Sequence, residues 1–449
     1  MSTTEFTVVG GGIAGLVAAR RLAMAGRTVR LIEASNHLGG TVASHRVGGL
    51  NLDAGAESFA TRGNTVADLA RELGLGDDIV SPGDEGAWLQ PVDGAALPLP
   101  ATGILGIPAT PLDKDTIAVI GLGGAFRAQL DSLIPWFGKR TDISLGALVR
   151  RRMGKAVVEK LVAPVVHGVY SLHPDDLPLE RVATLKERLA LHGSLAAAVR
   201  SMRHAMPAGT AVQGIRGGIN RLVTELAADL TTYGVIVEFE RRIESAEALA
   251  DLDGTVIVAA PGILAPVRGR TVTLATLVLD APALDAEPRG SGVLVAPGCT
   301  KVSARALTHA TAKWQWLKEQ AEGRHVVRLS YNEVPAGDLA EVARRDAEVL
   351  LGVSLPASAV VDFARREWTR PAPLAPAERT DGVVVVGETV GGTGLAGIIT
   401  HANAAVDRLL ALEHEEPADD AAETAADETT NAHATDAAGE TGDTTPAVS

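Results

Sequence analysis

Six residues, Gly10-Gly-Gly12-Ile13-Ala14-Gly15, lie between an apolar run at residues 5–10 and an Ala/Leu-rich stretch that closes at Gly26. This context restricts the opening of the chain to a strand, a tight turn and a helix, followed at residues 28–33 by a second apolar strand ending in Glu33. Such a βαβ start is the usual frame of a dinucleotide site. Gly10 permits the sharp turn, Gly12 lets backbone approach a pyrophosphate, and Gly15 lets helix and strand pack closely. The N–H groups of Ile13 and Ala14 at the helix start, with its partial positive charge, suit phosphate oxygens. Glu33, with Ala34 beside it, is placed to accept from ribose hydroxyls.

A chain of 449 residues is long enough for two or three lobes. With 46% hydrophobic but only 3% aromatic residues, its core has to be aliphatic. Residues 413–449 hold eleven acids and no Lys or Arg; removing them from the formal net charge of −14 leaves −3 for the remainder. The body is therefore nearly neutral, and nucleic acid is not an expected partner. A single cysteine, Cys299, excludes an internal disulfide, offers no metal-ligand spacing and suits a reducing cytoplasm. No metal site is expected. Neither a secretory signal nor a membrane-spanning helix is expected: the apolar stretch 104–125 is broken by Pro108, Pro111, Asp113, Lys114 and Asp115.

Further along, residues 63–80 suggest an amphipathic helix, and 82–207 a mainly helical block punctuated by Pro and Gly. Strand patterns return at 235–239, 255–260 and 271–279, and strands alternate with helices to about Trp368. An apolar strand at 383–387 turns through glycines into a helix at 398–412, and the tail beyond is expected to be disordered.

Several segments resemble, in order, the flavoprotein superfamily of amine oxidases, phytoene desaturases and porphyrinogen oxidases. Leu38-Gly39-Gly40-Thr41 resembles its second glycine motif, and Gly55-Ala56-Glu57-Ser58 a turn passing near the isoalloxazine. Gly214 to Gly218 resembles a glycine motif before the middle strand, with Ile243 offering backbone contact to the adenine. Gly387-Glu388 followed by Gly394-Leu395-Ala396 resembles the closing flavin motif, and Trp368 is added to the cofactor set. Within the superfamily, Pro164-Val-Val-His167-Gly168-Val-Tyr170, the strand-like Gly290 to Ala296 and the strand-like Ala310 to Trp314 are similar to motifs of protoporphyrinogen and coproporphyrinogen oxidases. The chain departs from these enzymes after Trp368, where Pro371, Pro373 and Pro376 replace the usual P-Q-Y stretch.

The resemblance implies an α/β fold: a discontinuous Rossmann-type FAD-binding domain (1–62, 208–265, 377–412), an α+β substrate domain (63–81, 266–376), an inserted helical lobe able to rest on a membrane (82–207) and an acidic tail (413–449). It implies FAD as cofactor, a tetrapyrrole substrate and dioxygen as acceptor. Coproporphyrinogen III would lose six electrons as three pairs; protoporphyrinogen IX is the nearest alternative. Another amine-oxidase-like flavoprotein and a non-catalytic flavin or porphyrin binder are the others. An amine oxidase of this architecture places an aromatic pair by the flavin, yet no Phe, Tyr or Trp follows Trp368. Aromatisation drives the reaction, so the protein has chiefly to position substrate. Arg62, Arg216 and Lys313 are candidates to receive propionates. His167 and His192 fit packing or polar surface roles, and Trp314 and Trp316 alternate as on a strand that could line a tetrapyrrole slot.

Overall fold

Consecutive apolar residues make the first strands buried on both faces, which is the condition for a parallel sheet. The computed structural model describes residues 4–61, 63–134, 143–170, 172–204, 212–375 and 382–415. Two large sheets are built from β1 (Phe6–Val9), β2 (Val29–Ile32), β3 (Ala87–Gln90), β4 (Leu97–Pro98), β5 (Ile236–Glu238), β6 (Thr255–Val258), β7 (Gly269–Leu279), β8 (Gly292–Val295), β9 (Ala306–His309), β10 (His325–Tyr331), β11 (Val360–Pro371) and β12 (Val384–Val385). The first sheet has order β5-β2-β1-β6-β12 and is parallel throughout, with Phe6 opposite both Val29 and Thr255. Its strands come from three distant stretches of chain. On one face pack the helices Ile13–Met24, Thr65–Glu72, Arg221–Thr232 and Leu395–Glu415, sharing a core that includes Leu16, Leu22, Leu69, Leu226 and Ile399.

The second sheet has order β11-β7-β10-β9-β8-β3-β4; its pairs are antiparallel except β8 with β3. One face, with Ala275, Leu277, Leu329 and Tyr331, is closed by the helix Leu339–Leu351. A third core joins the helices between residues 114 and 204. Its centre is an ion pair out of water: Arg152 Nε donates to Asp131 Oδ1 at 2.5 Å, with side chains 2% and 1% exposed. Arg152 Nη2 donates to the carbonyls of Asp131, Ile134 and Gly193, while Asp131 Oδ2 accepts from the Ala196 amide. The pair therefore also closes the ends of three segments.

Three readings are corrected. The helix Thr65–Glu72, expected in the substrate domain, buries Val66, Leu69 and Ala70 in the core of the first sheet. β3 and β4, expected within the helical lobe, extend the second sheet because Gly292–Val295 presents an open edge that β3 pairs in parallel. The strand expected through Trp314 is two short helices, Ala310–Lys313 and Gln315–Ala321, with Trp314 buried between them; a Cβ on Gly214 would fall 2.8 Å from its ring. The helix Leu395–Glu415 does contain a window, Leu395–Leu412, long and apolar enough by length and composition to cross a membrane, with mean hydropathy 1.2. Its Ile399, Ala402, Ala405 and Val406 are buried in the core of the first sheet. The acidic tail beyond residue 415 lies outside the described residues.

Removing one member of a buried pair strands the other charge, at about 3–5 kcal/mol. Arg152→Leu is expected to lower unfolding stability by about that much in denaturant titration; a loss below ~1 kcal/mol would show that the lobe does not rest on this pair.

Candidate active site

The opening glycines divide into two kinds by what a side chain would meet. Gly10 (φ +110°) would place a Cβ 2.9 Å from Ala260 Cβ, and Gly15 would place one 1.9 Å from the Gly10 carbonyl oxygen. Both are bare because strand and helix touch there. Gly12 is different: its backbone is extended (φ −73°, ψ 175°), and a Cβ would meet no protein atom within 4 Å. Open ground therefore lies before the N-terminus of Ile13–Met24, where Ile13 and Ala14 present unpaired amides. The second glycine pair walls the same ground. Gly39 donates to the Gly11 carbonyl at 2.8 Å, and a Cβ on Gly40 would fall 3.4 Å from Gly12 Cα. Gly40 and Thr41 also line a cleft of about 600 Å³ with Ser44, Asn220, Val223 and Trp368.

At the end of β2 the Glu33 carboxylate is held on both oxygens. Oε2 accepts from the Gly11 amide at 2.7 Å, and Oε1 accepts from the Ser35 amide and hydroxyl, each at 2.8 Å. A carboxylate has about four acceptor positions, so it retains capacity for a ribose. Ala34 follows it, half-buried. Ile243 packs with Val9, Val258 and Ala260 at the carboxyl ends of β1 and β6.

The closing motif is brought to the opening one. Val386 donates to the Val258 carbonyl at 2.9 Å, continuing β12 along β6, and a Cβ on Gly387 would lie 3.4 Å from Ala14 Cβ. Glu388 starts a short helix; burial pushes its carboxyl up, and the Arg370 charge opposes this. Gly394 (φ +91°), like Gly12, faces open space, and Leu395 and Ala396 begin the last helix there. Gly12 and Gly394 thus leave room at two helix starts, with Glu33 and Glu388 at the ends of two strands of one sheet. These residues fit an adenine dinucleotide carrying a flavin.

Between the two sheets runs the turn 53–58, and its centre is Glu57. Lys313 Nζ donates to Glu57 Oε1 at 2.7 Å and Arg328 Nη1 to Oε2 at 2.6 Å. Burial alone would raise this carboxyl, but Lys313 and Arg328 outweigh it and hold it at about 2. Arg328 Nη2 also donates to the carbonyls of Asp53 (3.1 Å) and Gly55 (2.6 Å). Asp53 accepts from the amides of Ile219 (3.0 Å) and Asn220 (3.1 Å), and a Cβ on Gly55 would strike the Thr41 carbonyl oxygen at 2.1 Å. Ala56, exposed, and Ser58, half-buried, flank Glu57.

This arrangement changes the reading of the three basic candidates. Lys313 already has a carboxylate partner in Glu57, so its ammonium is not the bare propionate anchor expected of it. Arg216 is 59% exposed beside Asp78, with 3.8 Å between the charged atoms. Arg62 lies outside the described residues. Arg328 was not singled out from sequence, although Arg328 and Ser330 alternate along β10, with Asn332 just past its end, in the pattern of a polar sheet face. Cys299 borders a separate cavity of about 360 Å³ with His167, Arg305 and Asn332.

Because the two kinds of glycine differ, so should their variants. Gly12→Ala is expected to leave apoprotein stability unchanged and to weaken FAD binding at least about tenfold, read by flavin fluorescence titration; Gly15→Ala should also lower the apoprotein melting temperature. Equal effects on both properties would contradict this division. Glu57→Gln should destabilise the protein by about 3–5 kcal/mol near neutral pH by leaving Lys313 and Arg328 without their shared anion. Its folded pKa of about 2 lies below the ordinary 4.5, so the contribution is complete above pH 4.5 and lost as pH falls toward 2. Denaturation curves of variant and parent should converge over that window; a constant gap would refute the assignment.

Comparison with known proteins agrees with the cradle. The sequence profile of the family described as flavin containing amine oxidoreductase matches residues 13–257. Coproporphyrinogen III oxidase of Mycobacterium leprae is 28% identical over 92% of this chain and 99% of its own. That of Propionibacterium freudenreichii is 29% identical, over 52% of this chain and about half (51%) of the relative. Among solved structures, one from Exiguobacterium sp. 255-15 carrying the name protoporphyrinogen oxidase superposes with a TM-score of 0.74 at 22% identity, over 91% of this chain and 99% of that one. Cyclohexylamine oxidase of Brevibacterium oxydans superposes with a TM-score of 0.60 at 13% identity, over 91% and 100%. The glycine cradle, the closing motif that meets it and the profile match over more than half of the sequence lead to one conclusion: this chain belongs to the flavin-containing amine oxidoreductase family.

Proposed function

We propose that the protein oxidises coproporphyrinogen III to coproporphyrin III with FAD as cofactor and dioxygen as final acceptor, in the cytoplasm. The observation that carries the reading is the match to the Mycobacterium leprae enzyme along nearly the whole of both chains. A second supports it: the helix Ala163–Tyr170, bearing the porphyrinogen-oxidase-like motif, packs over the sheet face from which Arg328 reaches the turn 53–58.

Gly10, Gly12, Gly15, Glu33, Gly39, Gly40, Glu388 and Gly394 would hold the cofactor, which supplies two-electron oxidation when bound. Six electrons and six protons leave the porphyrinogen as three pairs, so three dioxygen molecules yield three of hydrogen peroxide. The chain's own task is positioning. Glu57, fixed by Lys313 and Arg328, sets the turn that borders the flavin and stays ionised throughout the neutral range. The second sheet and the helical block close the space opposite, where they exclude water and orient a meso carbon. Protoporphyrinogen IX is the nearest alternative substrate, favoured by the Exiguobacterium likeness.

The helical block also exposes Leu122 (58%), Phe126 (57%), Leu130 (49%) and Leu133 (75%), an apolar surface suited to peripheral membrane contact. Replacement of Phe126 and Leu133 by Ser is expected to reduce cosedimentation with phospholipid vesicles while leaving turnover in detergent-free buffer intact. Equal cosedimentation would remove the membrane reading. For the reaction itself, anaerobic mixing with coproporphyrinogen III should bleach the flavin, and air should then restore it with porphyrin fluorescence and three molecules of peroxide for each porphyrin formed. Persistence of the oxidised flavin with both porphyrinogens would leave a binding protein rather than an oxidase.

A further inference from the structure

Two histidines lie where the second sheet is otherwise apolar. Side chains alternate along a strand, so His309 at the end of β9 and His325 at the start of β10 share the face of Leu277, Leu279 and Leu329, opposite to that of Arg328. His309 is fully buried and His325 is 4% exposed. His309 Nε2 lies 3.1 Å from His325 Nδ1, and His325 Nε2 lies 3.0 Å from Oδ1 of Asp285, whose side chain is 67% exposed. The carboxylate and the two rings thus form one row leading inward from the surface. Its last atom, His309 Nδ1, is buried and has no hydrogen-bond partner among the described residues.

The row fixes the positions of its own protons. A carboxylate only accepts, so His325 donates from Nε2 and accepts at Nδ1; His309 therefore donates from Nε2 and keeps a lone pair at Nδ1. A further proton has no good place. On His309 it makes a buried N–H without an acceptor. On His325 it turns Nδ1 into a second donor facing the His309 Nε2–H, unless His309 moves its own proton to the same buried Nδ1. Burial first, then His325 and Lys318, holds His309 down at about 3. The neighbouring charges offer no relief: Lys318, from the helix Gln315–Ala321, is held by Glu287, and Arg324 bonds to the Gly48 carbonyl. Toward the same pair β7 presents Leu279, and the helix Leu339–Leu351 adds Ala343, Ala347 and Leu350 to that core.

His309 leads without a break into the helix Ala310–Lys313, whose last residue is the Lys313 that donates to Glu57 at 2.7 Å. A second tie runs beside the first, since Thr311 Oγ1 accepts from the Val326 amide at 3.2 Å. One helical turn is therefore fastened to β10 by one contact that titrates and one that does not. We propose that His309, His325 and Asp285 form a pH-sensitive latch, closed while both rings are neutral, that holds the turn Ala310–Lys313 on β10 and so keeps Lys313 on Glu57 beside the cofactor cradle. Acid opens it because the open form takes the proton that the closed form refuses. The sign follows from His309: closure is complete above the ordinary 6.5 and weakens as pH falls toward 3. The latch goes beyond the oxidation proposed above and stands whichever substrate is oxidised.

The test reads two quantities in the full chain: amide hydrogen exchange of the turn Ala310–Lys313 in the apoprotein, corrected for the intrinsic effect of pH on exchange, and FAD affinity by flavin fluorescence. Between about pH 7 and about pH 5 the parent should lose about 30-fold of the protection at this turn, a factor of ten for each pH unit below 6.5, and bind FAD more weakly. In His309→Gln the side-chain amide still donates to His325 Nδ1 but does not titrate, so both quantities should change by less than about threefold. Asp285→Ala, at an exposed site, covers the case in which His309→Gln folds poorly. Its turn should be at least about threefold less protected than the parent's already at about pH 7, because nothing then directs the row. Equal parent protection at both pH values overturns the latch, as does a loss in His309→Gln as steep as the parent's, or parent-like protection in Asp285→Ala. A loss of the same size across the whole chain is global acid unfolding and overturns it too. Opening of the turn with unchanged FAD affinity refutes its link to the cradle.

Discussion

One carboxylate joins the two halves of this molecule. Glu57 leaves the nucleotide-binding layer in a turn and meets Lys313 and Arg328 from the second sheet, at 2.7 and 2.6 Å. Without it, two cations would stand in a dry interface with no counter-charge, and the turn 53–58 would lose the anchor that sets it against the cradle. Arg328 adds bonds to two backbone carbonyls of the same turn, and Asp53 carries the tie onward to the start of the helix Arg221–Thr232. The relation of cofactor floor to substrate wall is therefore electrostatic at its centre and apolar around it.

The cradle depends on steric exclusion instead of charge. Gly10, Gly15 and Gly55 are places where a Cβ would collide with backbone or a core side chain, whereas Gly12 and Gly394 are places where nothing stands nearby. The first set lets the chain close on itself; the second keeps ground clear for a ligand. Acidic residues at the ends of β2 and β12 then face that ground from two strands of the same sheet, although 355 positions separate Glu33 from Glu388.

What was readable in the amino-acid sequence was what is local. The opening glycines, the two apolar strands and Glu33 lie within one βαβ unit, so spacing alone predicted their geometry. Short strands Ala87–Gln90 and Leu97–Pro98 were hidden in a Pro- and Gly-punctuated block, since four residues and two residues give too little periodicity to separate strand from loop. Trp314 and Trp316 imitated strand alternation, yet the buried Trp314 ring separates two helical turns. The partners of Glu57 were out of reach because they follow it by 256 and 271 positions and meet it only through sheet packing. Arg366, Trp368 and Arg370 alternate along β11 and so share one face of the second sheet, but which face that is depends on the side the helix Leu339–Leu351 covers.

The proposed oxidation presupposes that the cradle takes up a flavin dinucleotide. Titration of the purified apoprotein with FAD, followed by absorbance and flavin fluorescence, tests this most directly. Saturation is expected at one FAD per chain with a structured, protein-bound flavin spectrum. A chain that stays colourless and leaves the free flavin spectrum unaltered in excess FAD would contradict it.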